Sequence, residues 1–267
     1  MKVKLISYST PAKEFLDDGI DNAQELVAFC ARVSNPSNQL NTETSEKLIK
    51  YLIKNAHWSP LEMVSACLEI ETTRDIARQI LRHRSFSFQE FSQRYANPVK
   101  DLEFVTREAR LQDPKNRQNS IVNDDKEVSD MWIEKQENLI QSATDTYNWA
   151  IENGIAKEQA RAVLPEGNTV SRMYMNGTLR SWIHYIDLRT EDNTQKEHRE
   201  IANECKKIFV QNFPNVSEAL WGTEHSDYRW KPSYNKEEIY SQTSPTKNIS
   251  DSDPFSPVSV DSKGIDL

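Results

Sequence analysis

Six glycines are spread over 267 residues, at positions 19, 154, 167, 177, 222 and 264, and no two lie closer than ten positions apart. A dinucleotide fingerprint G-x-G-x-x-G and a P-loop G-x-x-x-x-G-K each require glycines within about six positions of one another. Neither can exist in this chain. A nucleotide bound here must be held by side chains and helix ends, not by a glycine cradle.

Other absences narrow the field further. The net charge of −8 argues against a protein whose main task is coating nucleic acid. Three cysteines, Cys30, Cys67 and Cys205, form no C-x-x-C and cannot all pair, which predicts a reducing, cytoplasmic setting. The start, MKVKLISYST, lacks the apolar stretch of a signal peptide, and no segment approaches a membrane span. The five histidines show no H-E-x-x-H and no zinc-ligand spacing, so no metal site is expected. No G-x-S-x-G elbow occurs.

The hydrophobic pattern predicts mixed structure. Residues 2–8 read as a strand, and Asp21 with Gln24 as a capping box for a helix carrying Leu26, Val27, Cys30 and Val33. A helix follows over 45–56, then a turn at His57–Glu62 in which Ser59 and Glu62 have capping-box spacing around Pro60. Val64, Ala66, Leu68 and Ile70 alternate with polar residues as a half-buried strand. Thr72 and Asp75 suit a cap for a helix to about Arg84, and Leu102 with Phe104 suggests another strand. Residues 108–130 are polar and read as an exposed insertion. Helices are expected over 131–153, 157–163, 171–188 and 193–213. From 241 onward seven serines and three prolines in 27 residues predict a disordered tail, with Tyr228, Trp230 and Tyr234 as possible anchors.

The chemistry concentrates in two places. Between Arg74 and Arg94 five arginines face only Asp75 and Glu90. Arg74, Arg78 and Arg82 fall at i, i+4 and i+8, with Gln79 beside them and Ile76, Ile80 and Leu81 opposite. Such a face can simply be solvated. Arginine in place of lysine throughout favours a phosphate or carboxylate, which the planar fork meets with two hydrogen bonds. The second place spans Arg161 to Arg189. Leu179, Trp182, Ile183 and Ile186 form the core side of its helix, while Arg180 and His184 share another face with Asn176 one turn before. Taken singly, His184 reads as a structural histidine and Arg161 as a surface ion pair. Two arginine-rich segments in an acidic chain suggest anionic ligands held between them.

Arg82-His83-Arg84 followed after seven residues by Ser92 resembles the R-H-R-x7-S signature of the flavin-dependent thymidylate synthases. Further blocks are similar to that family's, in its order: Ala31-Arg32-Val33-Ser34, the His57/Ser59-Pro60/Glu62 turn, Ala77-Arg78-Gln79, Glu90 with Arg94-Tyr95, Ala160-Arg161 with Leu164-Pro165, and Leu179-Arg180-Ser181 with Leu188-Arg189. The likeness covers about residues 1–220. It implies an α+β fold, a sheet with packed helices, in a domain over 1–222 followed by a polar tail over 223–267. It also implies a homotetramer with sites at subunit interfaces. The implied reaction is reductive methylation of dUMP to dTMP, with methylenetetrahydrofolate as carbon donor and FAD, reduced by NADPH, as hydride donor.

Carried over by position, the implied FAD contacts are Ser59, Arg82, His83, Arg84, Glu90, Thr178, Arg180 and His184. The implied dUMP contacts are Gln79, Arg82, Glu90, Ser92, Gln93, Arg94, Arg161 and Arg189. Arg189 matches the arginine that activates the uracil ring, and His57 a residue on the folate side. Thr178 and His184 stand where many relatives carry asparagine, and Asn193 where many carry histidine. A different class competes: a non-catalytic module in which the arginines and Phe86, Phe88, Phe91 and Tyr95 stack and neutralise a nucleotide or a single strand. The acidic balance of the chain weighs against a long nucleic-acid track.

Overall fold

The computed structural model describes residues 1–222, so the tail expected over 223–267 and its three aromatic anchors lie outside the described residues. In chain order the elements are β1 (Lys2–Tyr8), α1 (Lys13–Asp17), α2 (Ala23–Ala31), α3 (Ser45–Lys54), β2 (Ser65–Thr73), α4 (Arg74–Ile80), β3 (Ser87–Glu90) and α5 (Pro98–Asp101). They continue with β4 (Leu111–Gln112), β5 (Ser120–Ile121), α6 (Lys126–Glu152), α7 (Lys157–Ala160), β6 (Val170–Thr178), α8 (Leu179–Arg189), α9 (Lys196–Asn212) and α10 (Pro214–Trp221). Short 3₁₀ turns occur at Ser59–Glu62 and Arg161–Val163.

Four strands form an antiparallel sheet in the order β1-β2-β6-β3. The pleat sorts the residues. Ala66, Leu68 and Ile70 of β2 stand opposite Gly177, Met175 and Met173 of β6, and apart from the glycine these side chains belong to the core. On the other face Glu69 and Glu71 stand among Lys4, Lys2 and Arg172, with the Arg172–Glu71 pair at 2.9 Å. Trp182, Ile183 and Ile186 of α8 and Ile201, Cys205 and Phe209 of α9 complete the main core. Trp182 also donates to the Ala66 carbonyl at 2.9 Å. The α+β class, a sheet with packed helices, is the one that the resemblance implies.

Several local expectations are corrected. Val170–Thr178 is a strand, not the first half of a helix over 171–188, so Asn176 lies on the sheet rather than one helical turn before Arg180. Nine residue pairs with β2 outweigh the helix propensity of its methionines and arginine. β3 lies inside Ser85–Tyr95, where no period was visible. Phe104 makes only an isolated bridge to Thr169, and the segment before Leu102 is helical. The cap of α2 is Asn22, whose side chain accepts from the Gln24 and Glu25 amides, while Glu25 rather than Gln24 reaches back to the Asp21 amide at 2.6 Å. Val33 lies beyond that helix and is exposed. Ser59 makes no capping bond. α4 stops at Ile80. Within 108–130 the chain forms the β4–β5 hairpin and α6 starts at Lys126, capped by Asp125.

One glycine is required by close approach. A Cβ on Gly177 would lie 2.6 Å from Phe86 Cε1, and Phe86 is wedged edge-on against Trp182 at 4.9 Å. Gly177→Ala must displace the ring that follows the Arg82–Ser85 turn. The expected cost is about 1–3 kcal/mol, as for overpacking a filled core, and thermal denaturation checks it; an unchanged Tm would show that Phe86 has room to move.

Candidate functional site

α4 buries Ile76, Ala77 and Ile80, so the helix presents its arginines away from the core. They do not form one cradle. Arg74 approaches Glu90 at 3.6 Å, Arg78 pairs with Glu166, and Arg82 lies past the helix end on the following turn. Protein carboxylates thus occupy the first two guanidiniums. Arg82, Arg84 and Arg189 have no carboxylate partner among the described residues.

The turn aims its histidine inward. The His83 amide donates to the Ile80 carbonyl at 3.0 Å, and the ring reaches the last turn of α8, where Arg189 Nε donates to His83 Nε2 at 2.9 Å. Burial, with the Arg189 and Arg82 charges, lowers the His83 pKa from 6.5 to about 4. The imidazole is therefore neutral, with its lone pair on Nε2 and its proton on Nδ1. The Nε of Arg189 is occupied, and its two terminal amino groups have no hydrogen-bond partner among the described residues.

The other end of α8 gathers a second group. Thr178 is the N-cap and accepts from the Ser181 amide at 3.2 Å. Ser181 Oγ donates to the Ser85 carbonyl at 3.2 Å, Arg180 pairs with Glu62 at 2.6 Å, and His184 meets Trp58 edge-on at 4.9 Å. The start of α8, the Ser59–Glu62 turn and the residues after Arg84 therefore meet. Ser59 and Arg84 are exposed beside them. His57 is also exposed and packs edge-on against Tyr51.

The remaining implied residues sit apart. Glu90 accepts from Ser171 Oγ at 2.7 Å. Arg94 pairs with Glu158 at 3.1 Å, and Arg161 donates to the Glu158 carbonyl at 3.3 Å, so these two arginines meet at α7. Ser92 is exposed, whereas Gln93 is buried and its Nε2 has no partner among the described residues. Among the described residues no hydrogen bond or ion pair joins Arg189 to Arg94 or Arg161.

A polar chain beneath the arginines carried no signal in the sequence. His198, fully buried on α9, contacts Tyr185 Oη at 3.1 Å and Gln79 Oε1 at 3.3 Å. Gln79 Nε2 donates to Gln195 Oε1 at 2.8 Å, and Gln195 Nε2 to Glu197 Oε2 at 2.9 Å. Arg110 and Arg107 reach Glu197 at 2.5 and 3.7 Å. Only Gln79 was singled out by pattern. A cavity of about 480 Å³ lies between the 108–123 segment and the start of α9. None of the residues implied by the resemblance lines it. Its cations are already paired, Arg110 and Lys196 with Glu108 and Arg199 with Asp192.

Residues 16–215 match a protein-family model described as thymidylate synthase complementing protein. The chain is 49% identical over 220 residues to the "Probable flavin-dependent thymidylate synthase" of Paramecium bursaria Chlorella virus 1, which covers 82% of this chain and 99% of that relative. It is 49% identical over 221 residues to the flavin-dependent thymidylate synthase of Synechocystis sp., with 82% and 99% covered. Among solved structures, a UMP/dUMP methylase PolB from Streptomyces cacaoi, bound with 5-Br dUMP, is similar with a TM-score of 0.69 at 25% identity, over 82% of this chain and 93% of that one.

Proposed function

The chain belongs to the flavin-dependent thymidylate synthases, and on that premise we propose that it methylates dUMP reductively to dTMP, with FAD, NADPH and methylenetetrahydrofolate, at a site built around Arg189. The observation that carries the assignment is the Arg189–His83 contact. A neutral imidazole fixes the guanidinium through Nε and leaves both terminal amino groups for a substrate.

Uracil C5 is a poor nucleophile. Density moves to C5 when charge on the N3 edge and its carbonyls is stabilised. A cation fixed at that edge before the charge develops lowers the barrier without reorganisation. Arg189 cannot act as a base, because a guanidinium stays protonated. Its role is electrostatic. Cys205 is buried, and burial pushes its thiol and those of Cys30 and Cys67 above the ordinary range, so no cysteine is poised as a nucleophile.

The residues present suit FAD. Among the described residues Arg82 and Arg84 have no carboxylate partner, which is what a pyrophosphate needs from a chain without a glycine loop. In this reading Arg82, His83, Arg84 and Glu90 hold the flavin nucleotide from the turn and β3, and Ser59, Thr178, Arg180 and His184 hold it from the start of α8. The bound flavin supplies the hydride. Gln79, Ser92, Gln93, Arg94 and Arg161 join Arg82, Glu90 and Arg189 around dUMP. Residues 1–222 form the catalytic domain.

Arg94 and Arg161 are held together at Glu158, and Arg189 is held by His83 at the end of α8; in this reading a homotetramer brings such groups to one site across a subunit interface. Three unpaired cysteines support a cytoplasmic setting. No helix of the described residues is long and apolar enough to cross a membrane.

The test is direct. The purified protein is expected to show oxidised-flavin absorbance and to form dTMP from dUMP, methylenetetrahydrofolate and NADPH. A colourless protein that binds nucleotide and forms no dTMP would favour the non-catalytic module.

A further inference from the structure

The long helix α6 has 27 residues, yet only Gln136, Ala143, Tyr147 and Ala150 are buried along it. None of its first ten residues is buried, and a second row of side chains faces solvent. That row is Val128, Trp132, Lys135, Leu139, Ser142, Thr146 and Trp149, spaced alternately by four and three positions, which is the spacing of a coiled-coil seam. Its four apolar members are between 40% and 59% exposed. We propose that two copies of the chain meet along this seam, α6 against α6, antiparallel about a two-fold axis at Leu139. The proposal deepens the homotetramer reading and rests on it.

Charge argues for what covers the row. The helix carries six carboxylates, at 127, 130, 134, 137, 145 and 152, and none falls in the row. A row free of acids on so acidic a helix, and bearing two tryptophans and a leucine, suits burial against another apolar surface. Two lysines against six acids make a membrane the wrong occupant, because a helix lying on anionic lipid needs a basic polar face.

Side-chain size decides the direction. In a two-fold contact, residue i of one copy meets j of the other, and j meets i. A parallel pair would set Lys135 level with the partner's Lys135 and Trp132 level with the partner's Trp132, so that like charges repel and the bulkiest groups crowd. Antiparallel pairing centred on Leu139 sets large against small. Trp132 meets the partner's Thr146, Lys135 the partner's Ser142, and Trp149 the partner's Val128, while Leu139 meets its own counterpart. Lys135 forms no ion pair among the described residues. In this register it lies about 3 Å along the axis from the partner's Asp145, at 1.5 Å of rise per residue.

The buried side of the same helix bears on the site. Tyr147 and Ala150 pack with Ala160 and Leu164, which stand on either side of Arg161 in the chain. Pairing through α6 thus ties the Arg161 turn of one copy to the body of the next.

Native mass, measured by size exclusion with light scattering on the full chain, tests the seam. A closed tetramer held by two kinds of two-fold contact falls to dimers when one kind is lost. Leu139→Glu places two carboxylates on the axis and is expected to halve the mass, from four chains to two. Its helical circular dichroism should be unchanged, because Leu139 is half exposed. A mass that stays at four chains overturns the proposal and leaves the tetramer reading standing, whereas a single-chain mass for the unsubstituted protein removes both. Direction is read by a short bismaleimide, with the unsubstituted protein as the background. Leu139→Cys is expected to join two copies, and Trp149→Cys, about 30 Å from its counterpart in the antiparallel pair, is not. Joining at both positions would mean a parallel pair, and joining at neither would mean another occupant; either result overturns the proposal.

Discussion

Arg189→Ala is expected to fold, to retain flavin absorbance and to lose about 10³-fold in dTMP formation, the scale seen when one preorganised donor is removed from a developing negative charge. Folding should survive because Arg189 ends α8 and contributes nothing to its buried side, which is Leu179, Trp182, Ile183, Tyr185 and Ile186. Flavin should be retained because the residues matched to it at the start of α8 and on the turn are untouched. Arg189→Lys restores the charge but not the fork, and Nε is the atom that His83 holds. It is expected to recover only part of the rate. The variant also has a second readout. Arg189 is one of the causes that lower the His83 pKa, so that pKa should rise in Arg189→Ala, as followed by the imidazole proton shifts in NMR. Wild-type turnover in a dTMP assay would remove Arg189 from the chemistry.

The parts of the fold that were legible in the sequence are those in which one residue type dominates one face. β2 announced itself through Ala66, Leu68 and Ile70, and α3 through Ile49 and Leu52. β6 carries the same period, with Met173 and Met175 against Arg172 and Tyr174, but the methionines and Arg172 favour helices and the strand runs directly into α8 through the Thr178 cap. Only its pairing with β2 and β3 decides the matter, and pairing is not local. β3 has four residues, too few to show a period. The site divides in the same way. The arginine turn was visible as a motif, and the core side of α8 as spacing. What each arginine touches was not: Arg78 turns to Glu166, 88 positions on, and Arg189 to His83. His198 and Gln195 gave no signal, because a single polar residue at a buried or capping position has no periodicity. Their importance arises only where α9 meets α4.

Acid is expected to unfold the protein through those histidines. His198 is fully buried, and its pKa falls from 6.5 to about 3, through burial first and then the Arg189 and His83 charges. A folded-state pKa below the unfolded value means that the unfolded chain takes up the proton first. The stability concerned is therefore complete above about pH 6.5 and is lost as the pH falls toward 3. The slope is about 1.4 kcal/mol per pH unit for one such group. His83, half-buried and lowered to about 4, adds a smaller loss in the same direction over the upper part of that window. Glu71, held below the ordinary carboxylate range by its hydrogen bond to Arg172, has the same sign but acts only at lower pH, where carboxylates protonate. Between pH 6.5 and 5 the histidines thus dominate. His198→Gln can still donate to Gln79 and accept from Tyr185 but cannot take up a proton. Over that interval the unfolding free energy of the unsubstituted protein is expected to fall by about 2 kcal/mol more than that of His198→Gln. Urea unfolding at the two pH values measures the difference. Parallel losses in the two proteins would mean that His198 is protonated in the folded core.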